Sequence, residues 1–413
     1  MIHRLFPVAA FGILLQTSAL LADPPEPRFR AVTIDDKIQI GYGVAVADVD
    51  GDKLPDILLA DKKQIVWFRN PGSNEAGANL PNAGWQKFLI AENLTAKDNV
   101  CLAAEDIDGD GKCELAVGAE WNPADTEKSG AVFYLIAPAD RTQPWTPVKF
   151  PSVEPTTHRM RWIHLEGGKW GLVVLPLHGR GNKNGEGAPV KVVVYHPPAV
   201  LNDPALEWTN EVIDQPMHMT HNFHVPIPKR AVIQIGGKEG VYAVAKLNGK
   251  WHTMNLSDPA LGAPIGESGV GEFRVGRLPN SEALMTTVEA MHGNTLVAYT
   301  LDKSGPRERR VLTDRLVEGH ALATGDLVAT GSDQIVVGWR GKPGAPNSTT
   351  GVAVWTALDP KGEKWRETIV DADGMACEDL QLADLNGDRK LDIVASGRAT
   401  RNVKIYFNET PAP

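Results

Sequence analysis

Cysteine is scarce in this 413-residue chain: Cys101, Cys113 and Cys377 are too few for a disulfide scaffold, and an odd number besides. They lack zinc-type spacing, and Cys101 and Cys377 sit in apolar stretches, which reads as buried thiols. No apolar run of spanning length follows residue 22, so no membrane span is expected in the mature chain. No apolar 3.6-residue period outlasts a turn, and 40 glycines with 30 prolines interrupt the chain throughout, which excludes helical architectures. There is no Gly-x-Ser-x-Gly elbow for serine esterase chemistry. The run Gly266-Glu-Ser-Gly-Val-Gly271 is neither a Walker sequence nor placed before a helix, which argues against phosphate binding there. No carboxylate pair stands out for a glycosidase. Positive charge is in deficit, with a formal net charge of −9, so nucleic acid is not an expected partner.

What is present begins with a leader. Residues 1–22 carry Arg4, an apolar stretch from Leu5 to Leu15, and small residues at Thr17, Ser18, Ala19 and Ala22. This is the pattern of a secretory signal peptide, cleaved after Ala19 or Ala22, and the expected location is secreted or periplasmic. The remainder, 23–413, reads as a single domain.

An acidic loop is written three times: Asp48-Val-Asp50-Gly-Asp52, Asp106-Ile-Asp108-Gly-Asp110 and Asp384-Leu-Asn386-Gly-Asp388. A fourth oxygen donor follows eight residues after the first, at Asp56, Glu114 and Asp392. Hard cations take six to eight oxygens, and alternate residues of a tight loop aim carboxylates at one point. An EF-hand is excluded, because its twelfth position needs Glu and here holds Leu59, Val117 or Ala395. The flanks are strand-like, so these are calcium loops inside β-hairpins, with about three structural Ca²⁺ sites expected.

A second repeat agrees. Trp85, Trp145, Trp208, Trp251 and Trp365 each open a short alternating segment, and Phe29–Ile34 and Glu308–Thr313 match without Trp. Seven such outer strands recur at intervals of about 45 to 60 residues, a period of propellers and solenoids. Three more strands fit between them, as in Val44–Ala47, Asp56–Ala60 and Gln64–Arg69. The expectation is an all-β, seven-bladed β-propeller. The N-terminal strand would complete the last blade and close the ring, leaving no open sheet edge. The loop-plus-strand unit resembles the FG-GAP/VCBS repeat, also found in integrin α-chain propellers. A fourth unit, from Gly325-Asp326-Leu327 to Asp333-Gln334-Ile335, keeps the skeleton with too few acids.

The calcium loops join first to second strands, so function is expected at the opposite mouth. Segments leading into first strands supply Thr157-His158-Arg159-Met160-Arg161, His218 to His224, Glu318-Gly319-His320 and Glu378-Asp379. Exits from second strands supply Glu120, His178-Gly-Arg180-Gly-Asn182, Glu289 to Asn294, Trp339-Arg340 and Arg398. Eight of eleven histidines fall in or beside these segments. Converging imidazoles suit Zn²⁺ or another divalent transition metal, with His158, His221 and His320 as expected ligands and His178 or His292 as substitutes. Arg159, Arg161, Arg180 and Arg340, with Asn182, offer donors for sugar hydroxyls or carboxylates. His178, Glu289 and His292 are the expected catalytic acid and base groups.

Blades three to six also resemble a narrower family. The stretch from Glu154-Pro155 through His158-Arg-Met-Arg-Trp162 to Leu177-His-Gly-Arg-Gly-Asn182 is similar to the propeller of aldos-2-ulose dehydratase (1,5-anhydrofructose dehydratase). So are Thr220-His-Asn-Phe223, Met291-His-Gly-Asn294 and Gly319-His-Ala-Leu322. The resemblance implies metal-assisted elimination of water from keto-sugars such as 1,5-anhydrofructose. The family's fungal enzymes carry cupin domains after the propeller, whereas this chain ends at Pro413, so a step needing a cupin is not expected. The same inventory serves hydration, or cleavage of 3-keto-glycosides. The expectation is therefore a secreted metal-dependent carbon–oxygen lyase with a small carbohydrate substrate. The alternative is a non-catalytic, calcium-stabilised propeller that binds glycans or a protein partner.

Overall fold

The computed structural model describes residues 23–72, 81–151, 154–205, 207–258, 265–266, 269–302 and 305–412; the expected signal peptide lies outside them. Among them, no helix is long and apolar enough to cross a membrane. The chain forms seven four-stranded antiparallel sheets. Each of the first six is a run of four consecutive strands, beginning with innermost strands Gly43–Ala47, Cys101–Glu105, Thr157–His164, Thr220–His224, Glu272–Arg277 and Gly319–Gly325. The seventh is built from Cys377–Ala383, Asp392–Gly397 and Val403–Asn408, and Phe29–Asp35 pairs along Val403–Asn408 as its outer strand. The seven-bladed propeller is thus closed by the start of the chain, and its last blade has no unpaired outer edge.

Middle strands are buried on both faces, which explains continuous apolar runs such as Ile57-Leu58-Leu59-Ala60, all without exposure. The core is not one mass. It falls into seven apolar layers among the described residues, each between two neighbouring blades. Leu58 and Trp67 of blade 1 meet Leu115 of blade 2, for example, and Val241 of blade 4 meets Phe273 of blade 5. The outer-strand tryptophans plug these layers: Trp85, Trp145 and Trp208 are all buried.

The acidic loops are the hairpin turns between first and second strands of blades 1, 2 and 7. In each, the first Asp accepts backbone N–H groups with both oxygens: Asp48 from Gly51 and Lys53, Asp106 from Gly109 and Gly111, Asp384 from Gly387, Asp388 and Arg389. Gly51 adopts a φ of 86°, which lets the chain turn under its own carboxylates. The fourth donor is buried: Asp56 accepts from Val49 and Asn70, and Asp392 accepts from Leu385 and Asn408. One oxygen each from Asp48, Asp50 and Asp56, and likewise from Asp106, Asp108 and Glu114, lie within 4.8 Å of one another. Blade 6 keeps the turn with fewer acids. There Asp326 accepts from Thr330 and Gly331, and Gln334 accepts from Leu327 and Val328 in place of the buried carboxylate.

Candidate active site

Four innermost strands carry the same irregularity at the mouth opposite these loops. The pairing skips one residue between Thr157 and Arg159, between Thr220 and Asn222, between Gly319 and Ala321, and between Cys377 and Asp379. The skipped residues are His158, His221, His320 and Glu378. A β-bulge leaves its extra residue out of the ladder and re-aims its side chain. Four blades therefore turn one side chain each toward the mouth by a shared backbone device.

The imidazoles are then oriented by the neighbouring blade. His158 Nδ1 lies 2.7 Å from the main-chain oxygen of His221, His221 Nδ1 lies 3.0 Å from that of Gly271, and His320 Nδ1 lies 2.6 Å from that of Glu378. A carbonyl only accepts, so Nδ1 carries the proton in all three rings and Nε2 keeps its lone pair. His221 Nδ1 is also 3.1 Å from the buried Glu272 carboxylate.

Blade 5 has no such bulge and contributes His292 from the turn after its second strand. Gly293 makes that turn: a Cβ there would stand 2.0 Å from the Glu289 carbonyl oxygen. His292 Nε2 is 2.8 Å from His221 Nε2, and its Nδ1 is 3.2 Å from Arg340 Nη2. Ring centroids are separated by 4.7 Å for His221–His292, 5.0 Å for His221–His320 and 4.9 Å for His292–His320. One ring nitrogen from each of these three lies within 4.8 Å of the others.

The trio brought together is therefore His221, His292 and His320. The expected trio differed by one member: His158 touches His221 edge-on, but its Nε2 faces Arg159 Nη1 at 3.1 Å and its ring stacks on Trp121. Burial first, and Arg159 next, hold His221 down to about 3; burial and His221 hold His292 down to about 2. His158 and His320 are also pushed well below the usual histidine range by burial. All four rings are neutral at physiological pH, the state that metal ligation requires.

Charges frame the cluster. Glu378 pairs with Arg340 at 2.9 Å and with Arg398 at 2.9 Å, and Arg340 also reaches Glu318 at 3.0 Å. Glu318 Oε2 stands 3.8 Å from His292 Nδ1.

The other expected residues are placed differently. Glu289 is committed outward within blade 5, accepting from Thr287 and Tyr299 and pairing with Arg309 at 2.6 Å, so it does not join the histidines. Asn182 staples its own loop, donating to Ala188 and His218 carbonyls and accepting from Gly185 N–H. Arg180 is exposed and donates to the Glu127 carbonyl. His178 is buried, makes no ring contact with the cluster, and keeps Nδ1 without a hydrogen-bond partner. Trp121 was not named from sequence, and Glu318 and Glu378 were placed at the mouth without a role. For Glu378 a signal existed: Cys377-Glu378-Asp379 is the counterpart of Thr220-His221-Asn222, one residue into the first strand.

A metal ion fits this donor set. His221 and His320 present Nε2 lone pairs with Nδ1 anchored on carbonyls, the usual outer arrangement of metal-bound histidine. In His292 the Arg340 contact makes Nδ1 the acceptor, so the proton sits on Nε2. Ligation through Nε2 requires that proton on Nδ1, where Glu318 is the available acceptor.

Below the mouth the channel along the axis opens into a cavity of about 520 Å³, lined by Arg159, Arg161, Asn222, Asp379 and inner strands of blades 1 to 4 and 7.

Comparisons with known proteins agree with the fold. The BBS1N domain, solved in complex with ARL6DN, superposes with a TM-score of 0.53 and 12% identity, covering 92% of this chain and 97% of that one. The WD40 propeller of Doa1 superposes equally well at 8% identity, with the same coverage. At such identities the likeness concerns the fold alone. No curated protein gives a significant match. Residues 48–117 match the FG-GAP-like repeat, and residues 129–302 match the family described as aldos-2-ulose dehydratase, beta-propeller domain. The chain is thus a seven-bladed β-propeller with an FG-GAP-like repeat, and the stretch that carries His158, His221 and His292 is similar to the propeller domain of a sugar dehydratase.

Proposed function

We propose that this protein is an exported, metal-dependent carbon–oxygen lyase acting on keto-sugars, such as 1,5-anhydrofructose, or on 3-keto-glycosides. The observation that carries this reading is the convergence of His221, His292 and His320 from three separate blades, with ring nitrogens within 4.8 Å. The likeness of residues 129–302 to a dehydratase propeller supports it. Calcium in the loops of blades 1, 2 and 7 is proposed as structural, pinning hairpins at the far face.

A divalent ion on the three imidazoles would supply Lewis acidity toward a keto oxygen next to the C–H bond being broken. The protein's own groups divide the remaining work. Glu318, partly exposed at the rim and paired with Arg340, is the proposed base for the α-proton. Glu378 pairs with both Arg340 and Arg398 and anchors His320 through its main-chain oxygen. The elimination would break the α C–H and β C–O bonds and form the C=C bond, the proton taken up by Glu318 being handed to the β-oxygen, which leaves as water or alcohol.

The test is elemental analysis of the purified protein beside a His221/His292/His320 triple alanine variant, then a screen of keto-sugars for enone absorbance. Calcium plus about one transition metal per chain, the latter lost in the variant, with enone formed only by wild type, is the expected result. Calcium alone in both proteins and no enone would overturn the reading in favour of a binding propeller.

A further inference from the structure

Arg161 points into the channel with no anion of its own. Among the described residues it forms no hydrogen bond and no ion pair, only a cation–π contact 5.9 Å from the Phe223 ring. Arg159, one side-chain position nearer the mouth, uses Nη1 on the His158 main-chain oxygen and Nε2, with no carboxylate partner. Arg274 is a buried guanidinium beside them, 3.5 Å from Glu272, whereas Arg159 and Arg161 are partly exposed along the channel. A guanidinium taken out of water without an acceptor is costly, so a lining of this kind calls for a negative ligand.

Counting charge around Arg161 gives the sign. The cations are Arg159, Arg161, Arg274 and, on the cavity wall, Lys229, and His224 faces the arginines as well. The anions are Glu272, Asp379 and, on the cavity wall, Glu105; the first two are already engaged, since Glu272 accepts from Asn222 and faces His221, and Asp379 accepts from Val44 and Leu380 N–H groups. With all three carboxylates ionised these groups carry four positive charges against three negative, an excess of one. Burial first, then Arg274, holds Arg161 down to about 10, as expected of a guanidinium crowded by another.

We propose that the channel cavity binds a carboxylate between Arg159 and Arg161, directly beneath the histidine mouth. Arginine's planar fork matches a planar carboxylate, and a single excess charge suits a monoanion better than a phosphate dianion. The cavity is within the range of small-molecule sites, about 300–1,000 Å³. Two residues of extended strand separate Arg161 from Arg159 by about 7 Å, the reach of one sugar ring with its exocyclic carbon. The substrate class is then an acidic keto-sugar, its carboxylate in the channel and its carbonyl at the histidines; this second half rests on the lyase reading, the first does not.

The experiment is calorimetric titration of protein stripped of transition metal with glucuronate, glucose and inorganic phosphate, on wild type, Arg161→Met and Arg161→Lys. Saturable binding of glucuronate but not glucose is expected, weakened about tenfold or more in Arg161→Met. Arg161→Lys keeps the charge and loses the fork; it is expected to keep the wild-type melting temperature and still bind several-fold less tightly. Equal binding of glucose and glucuronate, or undiminished binding in a folded Arg161 variant, overturns the site. Phosphate binding without glucuronate binding overturns the carboxylate assignment. Glucuronate binding with no turnover of any keto-acid supports the site and counts against the lyase reading. Turnover of neutral keto-sugars without glucuronate binding does the reverse.

Discussion

Glu378 holds in blade 7 the bulged position that His320 holds in blade 6, and its main-chain oxygen accepts the His320 Nδ1 proton at 2.6 Å. The same hand-over links His158 to His221 and His221 to Gly271, always from one blade to the next. The mouth is therefore an arc of residues each oriented by its neighbour's backbone, and side-chain substitution leaves that backbone acceptor in place.

This arrangement separates His158 from the proposed ligands. Alanine at His221, His292 or His320 should remove the transition metal, whereas His158→Ala should retain about one ion per chain. Metal content by mass spectrometry checks it; loss in His158→Ala with retention in His292→Ala would restore the trio expected from sequence.

Glu378→Gln should keep the metal, since His320 is anchored by a carbonyl and not by the carboxylate. It leaves Arg340 and Arg398 facing a neutral amide, and activity should fall about 10- to 100-fold. A variant with wild-type turnover would show that the Arg340–Glu378–Arg398 cluster serves the fold alone.

Metal affinity at the histidines should stay nearly flat between pH 8 and 5. Free imidazole gains a proton near 6.5, but His221 at about 3 and His292 at about 2 remain neutral across that window, so protons do not compete. A steep loss of affinity on acidification through 6.5 would contradict their burial.

The calcium loops should behave in the opposite way. Burial raises Asp56, Glu114 and Asp392 to about 7, so below that pH each holds a proton that calcium must displace. The rise in melting temperature on adding calcium should grow as pH increases from about 5 to about 8. A shift independent of pH would mean that these three carboxylates do not ligate.

Ring closure is tested at Ile34, which is fully buried in the layer between blades 7 and 1. Ile34→Ala should destabilise the protein by about 2–5 kcal/mol. Denaturant unfolding that showed no change would mean that the first strand is dispensable to the closed ring.

The architecture was legible along the chain because its signals are local. The strands around Asp56–Ala60, Gln64–Arg69 and Cys377–Ala383 lie where alternation and turn residues place them. The reuse of Asp-x-Asp-Gly-Asp announces the hairpins, and the weak unit at Asp326 keeps its turn with Gln334 standing in for the acid. Even closure followed from counting, since one strand precedes the first unit and three complete the last. Sequence by itself also pointed to the mouth where His158, His221, His292 and His320 meet, because propeller topology assigns every segment before a first strand to the same face.

Which of those residues meet was decided only by tertiary structure. His158 and His221 carry the same motif, yet one ends against Arg159 and Trp121 while the other faces His292 and His320. Glu289 lies three residues before His292 but turns outward to Tyr299 and Arg309, partners on the third and fourth strands of its own blade. Such outcomes depend on radial distance from the axis and on one-residue bulges. A bulge shifts every later side chain to the other face of the strand without leaving a mark in composition or period.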